Sequence, residues 1–184
     1  MKNVLKNKKG FTLVELLAVI VILALIMGIA VVAMSGVIDS SKKNSARRTA
    51  ANIVDGVRSK LTLEGELLSG VYQFTNAILE KGGVTSPLGG DYVYATSAPS
   101  GSTTIGQTGV YRTSTTINGV SCTAATTSFI IVDVPANGGK TNYFVCLTSG
   151  AGNDFIAGSE SDILADSDSV IRTTGTTVSL NPAS

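Results

Sequence analysis

FTLVELLAVIVILALIMGIAVVAMSGVI, from Phe11 to Ile38, is the stretch that decides the fold. Between Leu16 and Ile38 no side chain carries a charge. As a helix those residues span ~35 Å, enough to cross a hydrocarbon core of ~30 Å. A helix buried in a soluble core is the alternative, and so long an uninterrupted apolar run is rare there. Upstream lies MKNVLKNKKG, with Lys2, Lys6, Lys8 and Lys9. A secretory signal peptide would place a shorter apolar stretch before a small-residue cleavage site. Here the order is reversed: a basic leader ends in Gly10 and the apolar segment follows. A cut after Gly10 would discard the lysines and keep the membrane helix.

The whole chain has 184 residues, 14 basic and 13 acidic side chains, and no His or Trp. One domain plus an appendage is the natural organisation at this length. The low charge density argues against wholesale disorder. Without His, the commonest general base and the commonest metal ligand are gone. Two Cys cannot by themselves build a four-ligand zinc site. These facts disfavour hydrolases and metalloenzymes, and no cofactor is implied. The near-neutral net charge hides an asymmetry: residues 1–60 carry ten basic and three acidic side chains, residues 61–184 four and ten. Such a split marks membrane or partner contact.

Glu15 is the one charge inside the apolar run's first turns. A carboxylate at the bilayer centre costs ~2.5–3.5 kcal/mol on insertion scales, and less near the interface. One reading is a tolerated interfacial acid. The other is an acid awaiting a cation. A cut after Gly10 would give Phe11 a free amine of pKa about 7.7–8.0. That amine lies about 6 Å along the helix axis from Glu15. A neighbouring copy shifted by one helical turn would bring its amine to this Glu15. Head-to-tail pairing of that kind generates an open helical filament.

KKG-FTLVELLAVIVILALI resembles the N-terminal signature of type IV pilins and the related pseudopilins, closely over residues 5–38. The resemblance implies a membrane prepilin peptidase cutting between Gly10 and Phe11, N-methylation of Phe11, and an assembly role for Phe11 with Glu15. It also implies an assembly ATPase, a membrane platform protein and minor pilins as partners. The chain would sit in the bacterial cell membrane first and in a cell-surface filament afterwards. Ala24 and Gly28 have the small-xxx-small spacing that lets helices approach closely. Many family members carry a Pro about twenty residues after the cut; this chain has none before Pro87. Gly28 and Gly36 are then the places where a filament-state helix would unwind. Lysines and arginines lie on both sides of the span, so the positive-inside count is nearly balanced. The resemblance places the C-terminal part outside.

Beyond the membrane, Ala46, Ala50, Ile53, Val57, Leu61 and Leu68 recur at helical spacing, an amphipathic stripe. The expected fold is α+β and pilin-like: one long N-terminal helix, its first half membrane-spanning, packed on an antiparallel β-sheet domain. Its parts are a leader at 1–10, a membrane and assembly helix at 11–38, and a globular domain at 39–184. Within that domain the helix continues to about residue 68, and VYQFTNAILEK at 71–81 before Gly82-Gly83 reads as a short second helix. The sheet is expected over about 91–180. DYVYA (91–95) and GVYRT (109–113) read as strands, and SPLGGDYVY (86–94) resembles the helix-to-sheet turn of many pilins. STTI-NG-VSCT reads as a hairpin turning at Asn118-Gly119. SFIIVDV (128–134) pairs with NYFVCLTS (142–149) as a second hairpin, with the uniformly apolar FIIV as a central strand. SVIRTT and TTVSL around Gly175 read as a last pair. Nearly half of the stretch from Thr96 to Thr127 is Ser or Thr, and a mucin-like stalk is the alternative there.

Cys122 and Cys146 fall in expected strands beyond the membrane span. On an exported domain they form one disulfide; the alternative is two reduced, buried thiols. In many pilins a disulfide ties the C-terminal segment to the sheet, but here the chain runs on well past Cys146, to Ser184. Lys42, Lys43, Arg47 and Arg48 form a basic cluster. Its readings are a solvated helix face, contact with anionic lipid or acidic neighbouring subunits, or nucleic acid. Glu160, Asp162, Asp166 and Asp168 form an acidic stretch, solvated or calcium-binding, whose spacing is not that of an EF-hand loop. The functional expectation is a structural, self-polymerising pilus subunit and not an enzyme. The alternatives are a pseudopilin of a secretion or competence system and a non-polymerising single-pass adhesin.

Overall fold

A computed structural model describes residues 11–75, 78, 85–106, 109–165 and 167–182. The chain divides at Ser40–Ser41 into two compact units. One continuous helix, α1, runs from Leu13 to Leu63. In the first unit every described residue of this helix is exposed. The large apolar side chains, among them Leu16, Ile22, Ile26 and Val32, are each more than half exposed.

In the second unit α1 is amphipathic. Ala46, Arg47, Ala50, Ile53, Val54, Val57 and Leu61 are buried, and this one stripe is what the helix lays on the sheet. The helix stops at a Schellman motif. Gly65 adopts φ +67°, its N–H donates to the Thr62 carbonyl at 3.2 Å, and the Glu66 N–H donates to the Leu61 carbonyl at 3.0 Å. Glycine takes that left-handed conformation without a Cβ penalty. The buried stripe therefore ends at Leu61, and Leu68, expected to extend it, is half exposed.

Seven strands form one sheet in the order β2-β3-β1-β5-β6-β7-β8, and every neighbouring pair is antiparallel. They are β1 Gly70–Phe74, β2 Thr103–Ile105, β3 Val110–Ser114, β5 Phe129–Asp133, β6 Asn142–Leu147, β7 Phe155–Ser159 and β8 Ile171–Arg172. A separate two-stranded sheet joins β4 Val120–Thr123 to β9 Thr177–Leu180. A short helix, α2 Glu160–Leu164, follows β7, and a 3-10 turn over Asp168–Val170 precedes β8.

The seven-stranded sheet is covered on both faces, because side chains alternate along each strand. Ile130, Val132, Tyr143, Val145, Leu147 and Ile156 join the α1 stripe in one cluster. Phe129, Ile131, Cys146, Phe155 and Ala157 join Cys122 and Leu180 of the small sheet in the other. This explains why FIIV shows no alternation of character: β5 is the middle strand of seven, buried front and back. The pairing of β5 with β6 is the expected hairpin, in the register Ile131 to Phe144.

Four expectations are corrected. Val71–Phe74 is strand β1 and not a helix, so the sheet begins at residue 70 and not near 91. Val, Tyr and Phe suit a pleated surface buried between two neighbours, and β1 pairs with both β3 and β5. The remainder of the expected 71–81 helix lies largely outside the described residues. DYVYA is not a strand. Val93 N–H donates to the Thr148 carbonyl at 2.7 Å, Ser128 N–H donates to the Val93 carbonyl at 2.8 Å, and Ala95 N–H donates to the Phe74 carbonyl at 3.1 Å. Its bonds go to three different places, so no ladder propagates. The Asn118-Gly119 hairpin does not form: β4 turns away from β3 and pairs with β9. The last pair around Gly175 also separates, β8 going to β7 and β9 to β4.

Core position and strand order set the cost of truncation. Ile130→Ala, at a fully buried site in the central strand, is expected to destabilise the globular unit by ~2–5 kcal/mol. Thr104→Ala, on the exposed edge strand, is expected to change stability by less than about 0.5 kcal/mol. Thermal unfolding of the detergent-solubilised chain, read by circular dichroism, compares the two.

Candidate functional site

The start of α1 is a capping box. The Glu15 N–H donates to Thr12 Oγ1 at 3.2 Å. In return the Glu15 carboxylate accepts from the Thr12 N–H at 2.9 Å and from the Thr12 hydroxyl at 3.0 Å. Two helix-end donors and the carboxylate are thereby satisfied reciprocally. Phe11, immediately before the cap, is 88% exposed. Thr12 is a site residue that the sequence reading missed, although Thr-x-x-Glu before an apolar run is the signature of this motif. Glu15 looks unmatched only while its partner is sought outside the chain; the partner lies three residues upstream.

Further along the exposed part of α1, a Cβ added at Gly28 or at Gly36 would meet no atom within 4 Å. Nothing among the described residues requires glycine at either place. The small surface that Ala24 and Gly28 present one turn apart is open to another helix.

The basic cluster divides. Arg47 is buried, donates to Asn44 Oδ1 at 2.6 Å and forms an ion pair with Asp168. Lys43 reaches the same carboxylate at 4.0 Å. Lys42 and Arg48 are exposed. A second tie lies about three turns on. The Arg58 guanidinium sits 4.4 Å over the Tyr143 ring, pairs with Asp55 at 2.6 Å and also pairs with Glu160. Burial pulls the Arg58 pKa down, but Glu160 and Tyr143 more than reverse this and leave it raised. The acidic stretch is thus largely committed to the fold. Glu160 and Asp168 hold α1, Asp162 belongs to the Ser159 cap of α2, and Asp166 lies outside the described residues. Among the described residues no group of three His, Cys, Asp or Glu is placed to hold a metal ion.

Cys122 of β4 and Cys146 of β6 form a disulfide with Cα atoms 5.8 Å apart. It fastens the small sheet to the large one. Because β4 carries β9, the bond also anchors the C-terminal strand, although that strand lies far past Cys146 in the chain. The geometry is a tail staple acting through one intervening strand. Burial pushes the Tyr94 phenol well above its ordinary range, and Tyr92 and Asp91 add to the shift. That group carries no proton traffic near neutral pH.

Residues 5–31 match the prokaryotic N-terminal methylation motif. That motif is the class III signal peptide of type IV pilins. It covers the second half of the basic leader, the Gly10–Phe11 junction, the capping box and most of the exposed helix, and it is similar to the start of pilin-like and pseudopilin precursors cut by prepilin peptidase. No curated protein and no solved structure matches the chain.

The staple yields a direct test. Replacing Cys122 and Cys146 together by Ala is expected to lower stability by ~2–4 kcal/mol, since the bond closes a loop of 24 residues. Hydrogen exchange is expected to lose protection first in Thr177–Leu180. Intact mass of the unaltered chain is expected to rise by about 2 Da on reduction, for the two hydrogens added at the cleaved bond.

Proposed function

We propose that the chain is a structural subunit of a type IV pilus, made as a precursor and polymerised through α1. Prepilin peptidase cuts after Gly10, Phe11 becomes the N-terminal residue and is N-methylated, and the membrane holds the subunit until assembly. An assembly ATPase and a membrane platform protein then drive its transfer into a cell-surface filament that minor pilins accompany. The observation that supports this reading is the motif at 5–31 leading into an apolar helix segment that none of the described residues covers. Lipid covers such a surface before assembly, and copies of the same helix cover it afterwards. The chemistry at the helix start is electrostatic. Cutting the peptide bond at Phe11 creates an amine, cationic over most of the neutral range, in a site where an unmatched charge is costly. Glu15 of a neighbouring subunit, released from its Thr12 cap, is the matching anion. The globular unit forms the outer surface, with its disulfide suited to an oxidising exterior.

Glu15→Val tests the reading in assembly-competent cells. Cleavage is expected at the normal rate, shown by an N-terminal Phe11 in the membrane fraction. Sheared filaments are expected to fall at least about tenfold, because the buried amine is left without its partner. Filaments at the unaltered level would remove Glu15 from assembly. An uncut chain retaining Met1 and found only as a monomer would point instead to a non-polymerising anchor.

A further inference from the structure

The chain holds two Asn-Gly pairs, Asn118-Gly119 and Asn137-Gly138. An asparagine before glycine is chemically labile: the glycine nitrogen attacks the side-chain carboxamide, and glycine has no Cβ to block the approach. A fold permits this where solvent reaches the site, the carboxamide lies over the following peptide, and the glycine N–H is free to lose its proton. Both pairs are exposed, so solvent does not separate them. Hydrogen bonding does. Asn137 lies in the link between β5 and β6, and its Oδ1 accepts from the Gly139 N–H at 3.1 Å. This Asx turn folds the carboxamide back over the Gly138 peptide. The same N–H is placed to stabilise the negative charge that Oδ1 takes up during attack. The Gly138 N–H donates to the Pro135 carbonyl at 3.2 Å, at the long end of the ordinary range. Donor and acceptor share one turn, and Ala136 to Lys140 are all exposed, so this bond opens without disturbing packed structure. At the other pair the Gly119 N–H donates to Asn181 Oδ1 at 2.8 Å, across 62 residues of sequence. Asn181 directly follows β9, where Leu180 faces Val120 of β4. Freeing that N–H means parting the end of the small sheet, which the disulfide fastens at Cys122.

We propose that Asn137 is a site of spontaneous deamidation on the folded protein, and that Asn181 protects Asn118 from the same reaction. Hydroxide takes the Gly138 N–H proton, and the nitrogen's electron pair forms a bond to Asn137 Cγ. The carboxamide nitrogen leaves as ammonia, taking a proton from water. The product is a cyclic imide that joins side chain to main chain. Water then adds to one of its two carbonyls and opens the ring. Opening at Cγ leaves aspartate in a normal main chain. Opening at the main-chain carbonyl leaves isoaspartate, with the main chain lengthened by one carbon. The net change consumes one water and releases one ammonia, and nothing is oxidised or reduced. The turn gains a negative charge three residues from Lys140. The ladder between β5 and β6 ends at Asp133 and Asn142, outside the turn, so the sheet accommodates either product. The charge of this exposed surface therefore records the age of the subunit. The site lies wholly within the globular unit and does not depend on the filament reading.

The test holds the full chain in detergent at mildly alkaline pH and physiological temperature, and maps its peptides by mass over days to weeks. Deamidation reads as a gain of about 1 Da, NH2 being replaced by OH. Asn137 is expected to react about fivefold or more faster than Asn118, the factor that one hydrogen bond supplies. Its rate is expected to rise with pH, as loss of an amide proton requires. In urea with the disulfide reduced, the two sites are expected to react within about twofold of each other, because the fold supplies the difference. Asn181→Ala is expected to raise the Asn118 rate about threefold or more and to leave Asn137 unchanged. Asn181→Asp keeps an acceptor and is expected to keep the protection. An Asn137 that stays intact in the folded chain while the denatured chain reacts would refute the site. Equal rates at the two pairs in the folded chain, or an Asn118 rate that Asn181→Ala does not move, would overturn the protection.

Discussion

The large apolar side chains of residues 13–38 are exposed among the described residues. Each large one left in water forfeits ~1.5–3 kcal/mol of burial, which favours covering this segment with lipid or with other helices. The rest of the molecule is arranged around that demand. The same helix continues without interruption into the second unit, where it becomes amphipathic and supplies one wall of a core. A single helix therefore carries the apolar segment and, further along, one wall of the globular core.

The globular unit secures α1 by packing and by charge. The apolar stripe meets the inner face of the seven-stranded sheet. Arg47 and Arg58, on the same helix, reach Asp168 and Glu160, which come from the 3-10 turn before β8 and from the start of α2, far along the chain. Gly158 shows how closely this region is drawn in: a Cβ there would lie 2.8 Å from Val170 Cγ1. The opposite face of the sheet is covered by β4 and β9, held through Cys122–Cys146. Late segments of the chain thus close both faces that earlier segments expose.

What the sequence made legible follows the length scale of each signal. The apolar run and the stripe at Ala46, Ala50, Ile53, Val57 and Leu61 are repeated many times over, so α1 was readable. FIIV and NYFVCL could be placed because a central strand between two covered faces has an unmistakable composition. The cysteine pair needed only two residues and an exported compartment. Local signals failed where partner choice lies elsewhere. Asn118-Gly119 favours a tight turn, but Cys122 is bonded to Cys146 and its strand has β9 to pair with, so β4 goes there. VYQF is as compatible with a helix turn as with a strand until the presence of β3 and β5 on either side decides it. The acidic stretch looked like solvated loop, because nothing local to it indicates that Arg47 and Arg58 lie 121 and 102 residues away in sequence and adjacent in space.

The capping box shows how one acid can suit two environments. A carboxylate in an apolar helix is costly only while it is unmatched. In the single chain Thr12 supplies two donors to Glu15, and Glu15 in turn completes the helix end. That reduces the cost of holding the acid near the membrane interface before assembly. The match is incomplete in one respect: hydroxyl and amide donors are neutral, and a carboxylate gains more from a cation than from neutral donors. On the filament reading proposed above, the amine that a cut at Gly10–Phe11 would create on a neighbouring copy would displace Thr12, because the charge-assisted bond is the stronger. While Gly10 is bonded to Phe11 no such amine exists, so the cap would have no competitor before cleavage.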